Sequence, residues 1–449
     1  MDFNEESIKS LYLSSIQLEC FRGFQNATID FDKQLTVIAG INGAGKSSAI
    51  EAIALGLSRV AAQIQNPNAK GRGIQDRDVN NECNKTHILF ELLYDDVTRV
   101  TWKISRRKSL RKRYISDRSP EGAAPDTRII GLKEFISKVH TAFEENNDIF
   151  PIPVMAMYGA NRAAIDIPLR IRTKHTFDAK EANVGALEPQ TTHFRTFFEW
   201  FRSREDLENE MKLQSAWSLF PDIPLGPFSP TYIDAQLQAV RTVVQEFLGF
   251  ENLRIRRSPL RMVLNKPSSL VEFNVNQLSD GERGLLALFG DVARRLAIAN
   301  PGEPYPLHGK GIILIDEIDL HLHPRWQREV IRKLPKIFPN CQFIVSTHSP
   351  QILGEVDASK IRLLKMEDSG ISISTPQFAK GLTTNLILTE IMDAQDRSKE
   401  AEDKLKYITT LIDSENYIEA RMEIEKLEIK LGSAEPRLVE LNSLIDFLI

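Results

Sequence analysis

LTVIAGINGAGKSSAIEAIALGL, residues 35–57, reads as an apolar strand, a glycine-rich turn and a helix in immediate succession. Residues 40–48 within it satisfy the pattern GxxxxGK(S/T), and the flanking strand and helix are the context that this pattern requires. A chance glycine-rich turn is the competing interpretation, which the flanking elements and the Lys-Ser pair disfavour. We therefore predict an α/β fold organised around a phosphate-binding loop.

The loop has the chemistry of a nucleotide site. Its glycines let successive backbone N–H groups face a phosphate, and the helix N-terminus adds partial positive charge. We expect Lys46 to reach the β- and γ-phosphates and the Ser47 hydroxyl to bind Mg²⁺. The predicted nucleotide-binding residues of the loop are Asn42, Gly43, Ala44, Gly45, Lys46, Ser47 and Ser48. The loop alone indicates a nucleotide without indicating which reaction follows.

A second apolar strand, GIILIDEID at residues 311–319, ends in adjacent carboxylates. Carboxylates at the carboxyl end of a buried strand are the usual partners of a phosphate loop. We expect Asp316 to hold Mg²⁺ through water and Glu317 to take a proton from the water that attacks the γ-phosphate. A strand that merely ends in an acidic turn is the alternative for this motif taken alone.

The segment LSDGER, residues 278–283, precedes an apolar helical stretch. Ser279 and Glu282 form a capping box, so an ordinary helix start explains the segment when it is considered alone. A serine-capped helix N-terminus is also an anion site, and this one lies shortly before the carboxylate strand.

LSDGER resembles the LSGGQ signature of ABC-type ATPases, and the other motifs follow in that family's order. Asp319 resembles the D-loop aspartate, and His348 resembles the switch histidine that senses the γ-phosphate. In that family the signature contacts the nucleotide of the opposite protomer, which would assign Ser279 and Gly281 to a neighbouring subunit's ATP. The resemblance implies a Mg²⁺-dependent ATP hydrolase that forms a homodimer or a higher homo-oligomer. Its catalytic residues would be Lys46, Glu317 and His348.

Two further family positions match less closely. Tyr158-Gly159-Ala160-Asn161-Arg162, which follows a predicted strand, is only a candidate for the glutamine loop. Arg22, in CFRGF, resembles the N-terminal arginine that contacts nucleotide in chromosome-maintenance and RecF-like heads.

The spacing of the motifs narrows the kind of head. Lys46 and Ser279 lie too far apart for a transporter subunit, and the chain has no sustained heptads for the long arms of chromosome-maintenance proteins. A compact RecF- or OLD-like head remains, and the tail is too short and too helical for the nuclease domain of OLD enzymes.

Several runs, among them HFRTFFEWFRSREDLENE, LIDEIDLHLHPRWQ and FIVSTHSPQILGEV, resemble the PtuA-type ATPases of bacterial Septu anti-phage systems and of related retron modules. The resemblance implies a separately encoded HNH nuclease of the PtuB type as partner. A RecF-like DNA-repair ATPase without a nuclease partner is the alternative. An HNH gene beside this one would favour defence, and a repair operon would favour the alternative.

We predict an α/β ABC-type P-loop ATPase head, doubly wound around a parallel core sheet, with an antiparallel β-lobe, a helical insertion and a helical C-terminal tail. The N-terminal half of the head, with the phosphate loop and the lobe, is predicted at residues 1–192. The helical insertion follows at 193–250, and the second half of the head at 251–396 carries the signature, the carboxylates and the switch histidine. The tail at 397–449 would serve oligomerisation or partner docking.

Composition places further limits on the protein. Its 449 residues are 42% hydrophobic and 26% charged, as in an ordinary globular protein. Its net charge of −4 would not attract nucleic acid without a local basic patch.

Cys20, Cys83 and Cys341 form no CxxC pair, so we expect no disulfide framework and no zinc knuckle. The N-terminus lacks a signal-peptide pattern and no apolar run approaches ~20 residues, so we predict a soluble, cytoplasmic protein without a membrane segment.

A basic cluster occupies the predicted hairpin at 103–113. DNA binding and simple solvation explain the cluster equally well, because aromatic residues flank it without interleaving. The basic residues are Lys103, Arg106, Arg107, Lys108, Arg111, Lys112 and Arg113.

Two other patterns have competing interpretations. His321 and His323 beside Asp319 have the spacing of metal ligands, but Pro324 follows, and we interpret the segment as the turn after the carboxylate strand rather than a metal site. The tail carries two apolar helical faces, for which packing, oligomerisation and partner docking all remain open. These faces are Leu405, Ile408, Leu411 and Ile412, and Leu438, Leu441, Leu444, Ile445 and Leu448.

Overall fold

A computed structural model provides the structure of the chain. It describes residues 10–96, 98–108, 129–145, 150–160, 177–188, 194–219, 232–269, 271–368, 370–394, 398–432 and 435–448. Within this range the chain divides into two compact units, Met1–Leu382 and Thr383–Ile449. The boundaries that we predicted inside the first unit stay a prediction.

The elements follow in chain order. The strands are β1 (Leu11–Phe21), β2 (Phe24–Asp30), β3 (Leu35–Ala39), β4 (Lys85–Tyr94), β5 (Thr98–Arg107), β6 (Ile129–Ile130), β7 (Val154–Tyr158), β8 (Glu251–Arg257), β9 (Leu260–Asn265), β10 (Glu272–Asn274), β11 (Gly311–Ile315), β12 (Cys341–Thr347), β13 (Ile361–Glu367) and β14 (Gly370–Ser374). The helices are α1 (Lys46–Gln65), α2 (Leu132–Glu145), α3 (Phe194–Leu219), α4 (Ala235–Leu248), α5 (Asp280–Ala299), α6 (Pro324–Ile337), α7 (Pro350–Leu353), α8 (Thr384–Leu386), α9 (Lys399–Asp413), α10 (Tyr417–Leu431) and α11 (Pro436–Leu448).

The core of the first unit is a six-stranded sheet in the order β14-β13-β3-β12-β11-β7, parallel apart from β14. Strands β3, β7, β11 and β12 are buried over their whole length, as expected for parallel strands covered on both faces. Val37, Val345, Ile315 and Tyr158 lie side by side in register. The loops that follow these four strands therefore emerge at one edge of the sheet.

The predicted antiparallel lobe is a five-stranded sheet in the order β2-β1-β4-β5-β6. Buried and partly exposed residues alternate along β4 and β5, so one face of the sheet carries the apolar side chains. Phe90 and Trp102 stack on this buried face with ring centroids 5.0 Å apart. The parallel core, the lobe and the helical segments confirm the predicted fold class.

The expectation that the cysteines form no disulfide is wrong. Cys20 and Cys83 are joined by a disulfide, with their Cα atoms 6.1 Å apart. The end of β1 meets the segment 78–83 because Phe21 forms a β-bridge with Val79. Spacing along the chain could not reveal this contact, since 63 residues separate the two cysteines.

The segment 193–250 contains α3 and α4, and the aromatic side chains of α3 lie inward. These residues, Phe194, Phe197, Phe198 and Phe201, are each at most 3% exposed. Their spacing is thus a core pattern rather than a ligand-binding one. A three-stranded antiparallel sheet, β10-β9-β8, follows α4 and was not predicted.

The second unit has a hydrophobic core of its own, formed by α9, α10 and α11. The buried residues are Leu405, Ile408, Leu411, Ile412, Ala420, Ile424, Leu427, Leu438, Leu441 and Ile445. The first apolar face that we noted in the tail and Leu438, Leu441 and Ile445 of the second therefore pack within the unit, whereas Leu444 and Leu448 are exposed. Ile418, Ile429 and Phe447 are at least 80% exposed and lie outside this core.

No helix in the described ranges combines the length and the apolar character needed to cross a bilayer.

Candidate nucleotide site

The phosphate loop connects β3 to α1 at the carboxyl edge of the core sheet. Gly40, Gly43 and Gly45 all have positive φ, and Gly45 caps the N-terminus of α1 with φ 93°. A Cβ at Gly40 would approach the carbonyl oxygen of Leu364 to 2.4 Å, whereas a Cβ at Gly43 would meet nothing within 4 Å. The loop thus packs against β13 at its start and presents open backbone at Gly43.

Lys46 is buried and folds back over its own loop. Its Nζ donates to the carbonyl oxygens of Gly40 and Ile41, each at 3.0 Å. Burial lowers the pKa of Lys46, and the nearby carboxylates of residues 316, 317 and 319 oppose that shift. The ammonium group therefore lies close enough to the carboxylates after β11 to interact with their charges.

The carboxylates after β11 are held by β12, the neighbouring strand. The Ser346 hydroxyl donates to Asp316 Oδ1 and accepts from the backbone N–H of Glu317 at 2.8 Å. Ser346 is completely buried, and Glu317 has a φ of 50°. One hydroxyl thus fixes both the Asp316 carboxylate and the backbone turn at Glu317, and the sequence analysis missed this residue.

Asp319 is bonded to the loop that follows β12. Its Oδ1 accepts from the Thr347 hydroxyl at 2.6 Å and from the backbone N–H of His348 at 3.4 Å. Thr347 Oγ1 in turn accepts from the backbone N–H of Ser349 at 2.9 Å. The segment carrying the predicted switch histidine is therefore fixed to the segment carrying the predicted D-loop aspartate.

His348 lies beside the phosphate loop, with its Nδ1 3.4 Å from Lys46 Nζ. Burial lowers the pKa of His348, and the positive charge of Lys46 lowers it further. A lowered pKa keeps the imidazole neutral at pH 7, so one ring nitrogen can accept while the other donates. The structure brings together Lys46, Asp316, Glu317, Asp319 and His348.

Ser279 lies apart from this group. It is exposed and caps α5, and its hydroxyl and backbone N–H both donate to Glu282 Oε2 at 2.8 Å. A Cβ at Gly281 would come within 2.5 Å of the His321 carbonyl oxygen. The hydrogen bonds of Ser279 stay within its own capping box, so the structure does not bring it to the phosphate loop of its own chain.

Arg22 lies beside the start of α1. Its Nη1 is 3.5 Å from the Ser48 hydroxyl, and its Nε donates to Asp78 Oδ1 at 3.0 Å. A cavity of about 460 Å³ opens next to it and is lined in part by Arg77, Asn80 and Asn81. Asp78 and this lining were not predicted, because they come from a connecting segment without a recognisable motif.

The glutamine-loop candidate is only partly described, because Asn161 and Arg162 lie outside the described residues. Tyr158 is buried, and its backbone carbonyl accepts from the N–H of Asp316 at 2.8 Å. Its hydroxyl donates to Asp291 on α5 at 2.9 Å, so the Tyr158 side chain faces the interior.

The basic hairpin is described up to Lys108, and Arg111, Lys112 and Arg113 lie outside the described residues. Arg106 pairs with Asp76, and Lys108 Nζ donates to the carbonyl oxygen of Asn80 at 2.7 Å. These two side chains therefore bond to the segment that connects α1 to β4, and DNA binding by the cluster stays a hypothesis.

His323 has a structural position in the turn after the carboxylates. Its Nδ1 accepts from the backbone N–H of Arg325 at 3.3 Å, which caps α6. His321, with a φ of 61°, contributes the carbonyl that approaches Gly281.

Comparison with known protein families shows the family to which the chain belongs. A family model described as "AAA domain, putative AbiEii toxin, Type IV TA system" matches residues 35–354. This range includes the phosphate loop, the carboxylate strand and His348. The chain belongs to this AAA-domain family. A second AAA-domain model matches residues 11–58.

Individual relatives of the chain are named as retron and Septu proteins. The chain is 30% identical to the retron Ec83 probable ATPase of Escherichia coli, over 98% of this chain and 88% of that protein. It is 40% identical to the Septu protein PtuA of Bacillus mycoides (strain KBAB4), over 21% of this chain and 13% of that protein. Among solved structures, the SmcHead bound to the C-winged helix domain of ScpA matches with a TM-score of 0.44 at 16% identity, covering 81% of this chain and 97% of that chain. The resemblance to PtuA-type and retron ATPases is confirmed.

Ser346→Ala removes the hydroxyl that holds Asp316 and the Glu317 backbone. Mutation of a residue that orients a metal-binding carboxylate typically lowers metal affinity or activity by about 10–100-fold. We therefore expect kcat for ATP hydrolysis to fall by about 10–100-fold, while ATP affinity changes by less than about twofold. Steady-state kinetics and nucleotide binding measure both quantities. The control is Ser414→Ala, which removes a hydroxyl bonded to a tail carbonyl. An unchanged kcat in Ser346→Ala would contradict the role of Ser346 in holding Asp316 and the Glu317 backbone for ATP hydrolysis.

Proposed function

We propose that the chain binds Mg²⁺-ATP in the loop 40–48 and hydrolyses it between two copies of itself. The observation that carries this proposal is the placement of Lys46 Nζ 3.4 Å from His348 Nδ1 and beside three carboxylates. A cation, a neutral imidazole and adjacent carboxylates at the N-terminus of a helix are the groups that phosphoryl transfer requires.

The donors at this edge of the sheet fit Mg²⁺. Ser47 lies exposed at the start of α1, and Asp316 is fixed by Ser346. Hydroxyl and carboxylate oxygens are the ligands that this hard cation prefers, together with phosphate oxygens and water. Bound Mg²⁺ would neutralise the phosphate charge that develops during transfer.

Three side chains carry out the catalytic steps in this proposal. Lys46 exchanges its two loop carbonyls for phosphate oxygens, to which its positive charge binds more strongly. Glu317 orients the attacking water and takes its proton, and His348 contacts the γ-phosphate through its neutral ring. Asn42, Gly43, Ala44, Gly45 and Ser48 contribute backbone or side-chain contacts to the phosphates.

A second copy completes the site in this proposal. Ser279 is exposed at the N-terminus of α5, where backbone N–H groups and the helix dipole favour an anion. Gly281 is buried beside this surface, and it lies close to the turn after Asp319, since a Cβ on Gly281 would come within 2.5 Å of the His321 carbonyl oxygen. In a two-fold arrangement each copy presents this surface to the ATP of the other.

The cavity beside Arg22 suits the nucleotide base. Arg22 lines the cavity and also contacts the Ser48 hydroxyl. The lining offers amide groups from Asn80 and Asn81 and a guanidinium group from Arg77. Such groups hydrogen-bond base edges and stack on base faces.

We further propose that ATP-driven assembly controls a separately encoded HNH nuclease in anti-phage defence. The similarity to the retron Ec83 probable ATPase along nearly the whole chain supports the defence role. The local similarity to a Septu PtuA protein supports the nuclease partner. The second unit offers a surface for assembly or docking, since Ile418, Ile429 and Phe447 are exposed outside its core.

Glu317→Gln tests the two-copy site. The variant keeps the shape of the side chain and loses the proton acceptor, so ATP and Mg²⁺ should accumulate in an unreacted dimer with about one ATP retained per chain. Native mass spectrometry with and without ATP measures both mass and stoichiometry. Lys46→Ala is the control, since it should neither retain ATP nor change mass. A Glu317→Gln variant that binds ATP but stays monomeric would contradict the proposal.

Co-expression with the product of the neighbouring gene tests the partner. We expect an HNH protein to co-purify with the chain, and deletion of residues 397–449 to abolish co-purification or oligomerisation while nucleotide binding stays within about twofold of wild type. The triple variant Ile418→Ser, Ile429→Ser, Phe447→Ser alters only exposed side chains and should have the same effect as the deletion. A repair protein as the neighbour, with no nuclease, would favour the RecF-like alternative.

A further inference from the structure

Helix α5 carries three charged side chains inside the core of the first unit. Asp291, Arg294 and Arg295 are 4%, 4% and 2% exposed, although most of the helix around them is apolar and buried. Burying charges is strongly unfavourable unless each charge is paired and hydrogen-bonded. Their arrangement therefore needs a physical reason.

The three charges form one hydrogen-bonded network with Tyr158. Asp291 Oδ1 accepts from Arg294 Nε at 2.8 Å, and Asp291 Oδ2 accepts from Arg295 Nε at 2.7 Å and from the Tyr158 hydroxyl at 2.9 Å. Burial alone would raise the pKa of Asp291, but the two guanidinium groups outweigh it and hold the pKa far below its usual range. Burial and the Asp291 charge raise the pKa of Tyr158 well above its usual value, so its hydroxyl stays a donor.

Tyr158 is bonded at both of its ends. Its hydroxyl reaches α5, while its backbone carbonyl accepts from the N–H of Asp316 at 2.8 Å. Strand β7 also pairs in register with β11, which ends at the carboxylates. One residue thus connects the middle of α5 to the residue that precedes Glu317.

Arg295 extends the connection to a third segment. Its Nη1 donates to the carbonyl oxygen of Ala182 at 2.6 Å, and the neighbouring Asn183 bonds β7 through the N–H of Met155 at 2.7 Å. At the other end of the helix, Gly281 approaches the carbonyl of His321. Helix α5 is therefore hydrogen-bonded to β7 about three turns along its length, and its start packs closely against the turn after the carboxylates.

We propose that Tyr158, Asp291, Arg294 and Arg295 are positioning residues that couple the two ATP sites of the dimer. The network makes the helix that begins at Ser279 and the strand end that carries Asp316 and Glu317 move together. Contact of Ser279 with the partner's γ-phosphate then sets the position of Glu317 in its own chain. The inference rests on the proposed two-copy site and adds how one site reports to the other.

An ionic network suits this task better than an apolar contact. Apolar packing of similar volume often gives equal stability, but it supplies no hydrogen bond between defined atoms of the helix and the strand. The ion pairs lie within α5 and move with it, but a shift of the helix would break the bond from the Tyr158 hydroxyl to Asp291 and the bond from Arg295 to the Ala182 carbonyl oxygen. Buried polar groups would then lack a partner, which is unfavourable. These two bonds therefore favour movement of α5 together with β7 and the strand end at Asp316.

Tyr158→Phe tests the coupling by removing one hydroxyl and keeping the ring. We expect kcat for ATP to fall about tenfold while KM changes by less than about twofold, because the phosphate loop is unaltered. The Hill coefficient of hydrolysis should fall from above 1 in the wild type towards 1. In the Glu317→Gln background, Tyr158→Phe should still form the ATP-dependent dimer.

Tyr94→Phe is the matched control. Tyr94 is also buried and its hydroxyl also has a partner, Lys138 at 3.2 Å, but it lies in the lobe. This variant should keep the wild-type kcat and Hill coefficient. If Tyr158→Phe does not fold, Arg294→Gln replaces it, since the ion pair of Asp291 with Arg295 remains; the same loss of kcat and cooperativity is expected.

The outcomes separate the coupling from the function on which it rests. A Glu317→Gln variant that stays monomeric with ATP would refute both the two-copy site and the coupling. If that dimer forms but Tyr158→Phe keeps the wild-type kcat and Hill coefficient, the coupling alone is wrong. An equal loss in Tyr94→Phe would show a general effect of lost stability and would also overturn the coupling.

Discussion

The parallel register of β3, β12 and β11 is the constraint on which the candidate site depends. Because the three strands run in the same direction and end at one edge, the phosphate loop, the carboxylates and His348 emerge together. Strand β12 lies in the middle, and its Ser346 hydroxyl bonds Asp316 and the Glu317 backbone. The order of strands thus turns three distant segments of the chain into one group of reactive side chains.

The parts that were predictable from sequence are those whose chemistry is local. A glycine loop before a helix identifies Lys46, and an apolar strand that ends in carboxylates identifies Asp316, so the class of fold followed from both. Ser346, the Cys20–Cys83 disulfide and the cavity beside Arg22 depend on segments that meet only in the folded chain. The third sheet, β10-β9-β8, was also not predicted.

The position of Ser279 links the geometry of one chain to the proposed assembly. Its hydroxyl is exposed and bonded within its own capping box, while its helix is tied through Tyr158 to the carboxylates. An exposed end and a firmly attached middle are what a helix needs if it carries a signal from a neighbouring surface to the interior. In the proposed assembly, ATP bound at the phosphate loop of one copy contacts Ser279 of the other, and the response arises at the carboxylates of that other copy.

Mixing two inactive variants measures the shared site most directly. Lys46→Ala and Ser279→Ala should each hydrolyse little ATP alone, but a heterodimer of the two contains one site with both residues intact. Because random pairing makes half of the dimers mixed, the mixture should regain up to about a quarter of wild-type activity. Activity no greater than the sum of the two separate variants would contradict a site built from two copies.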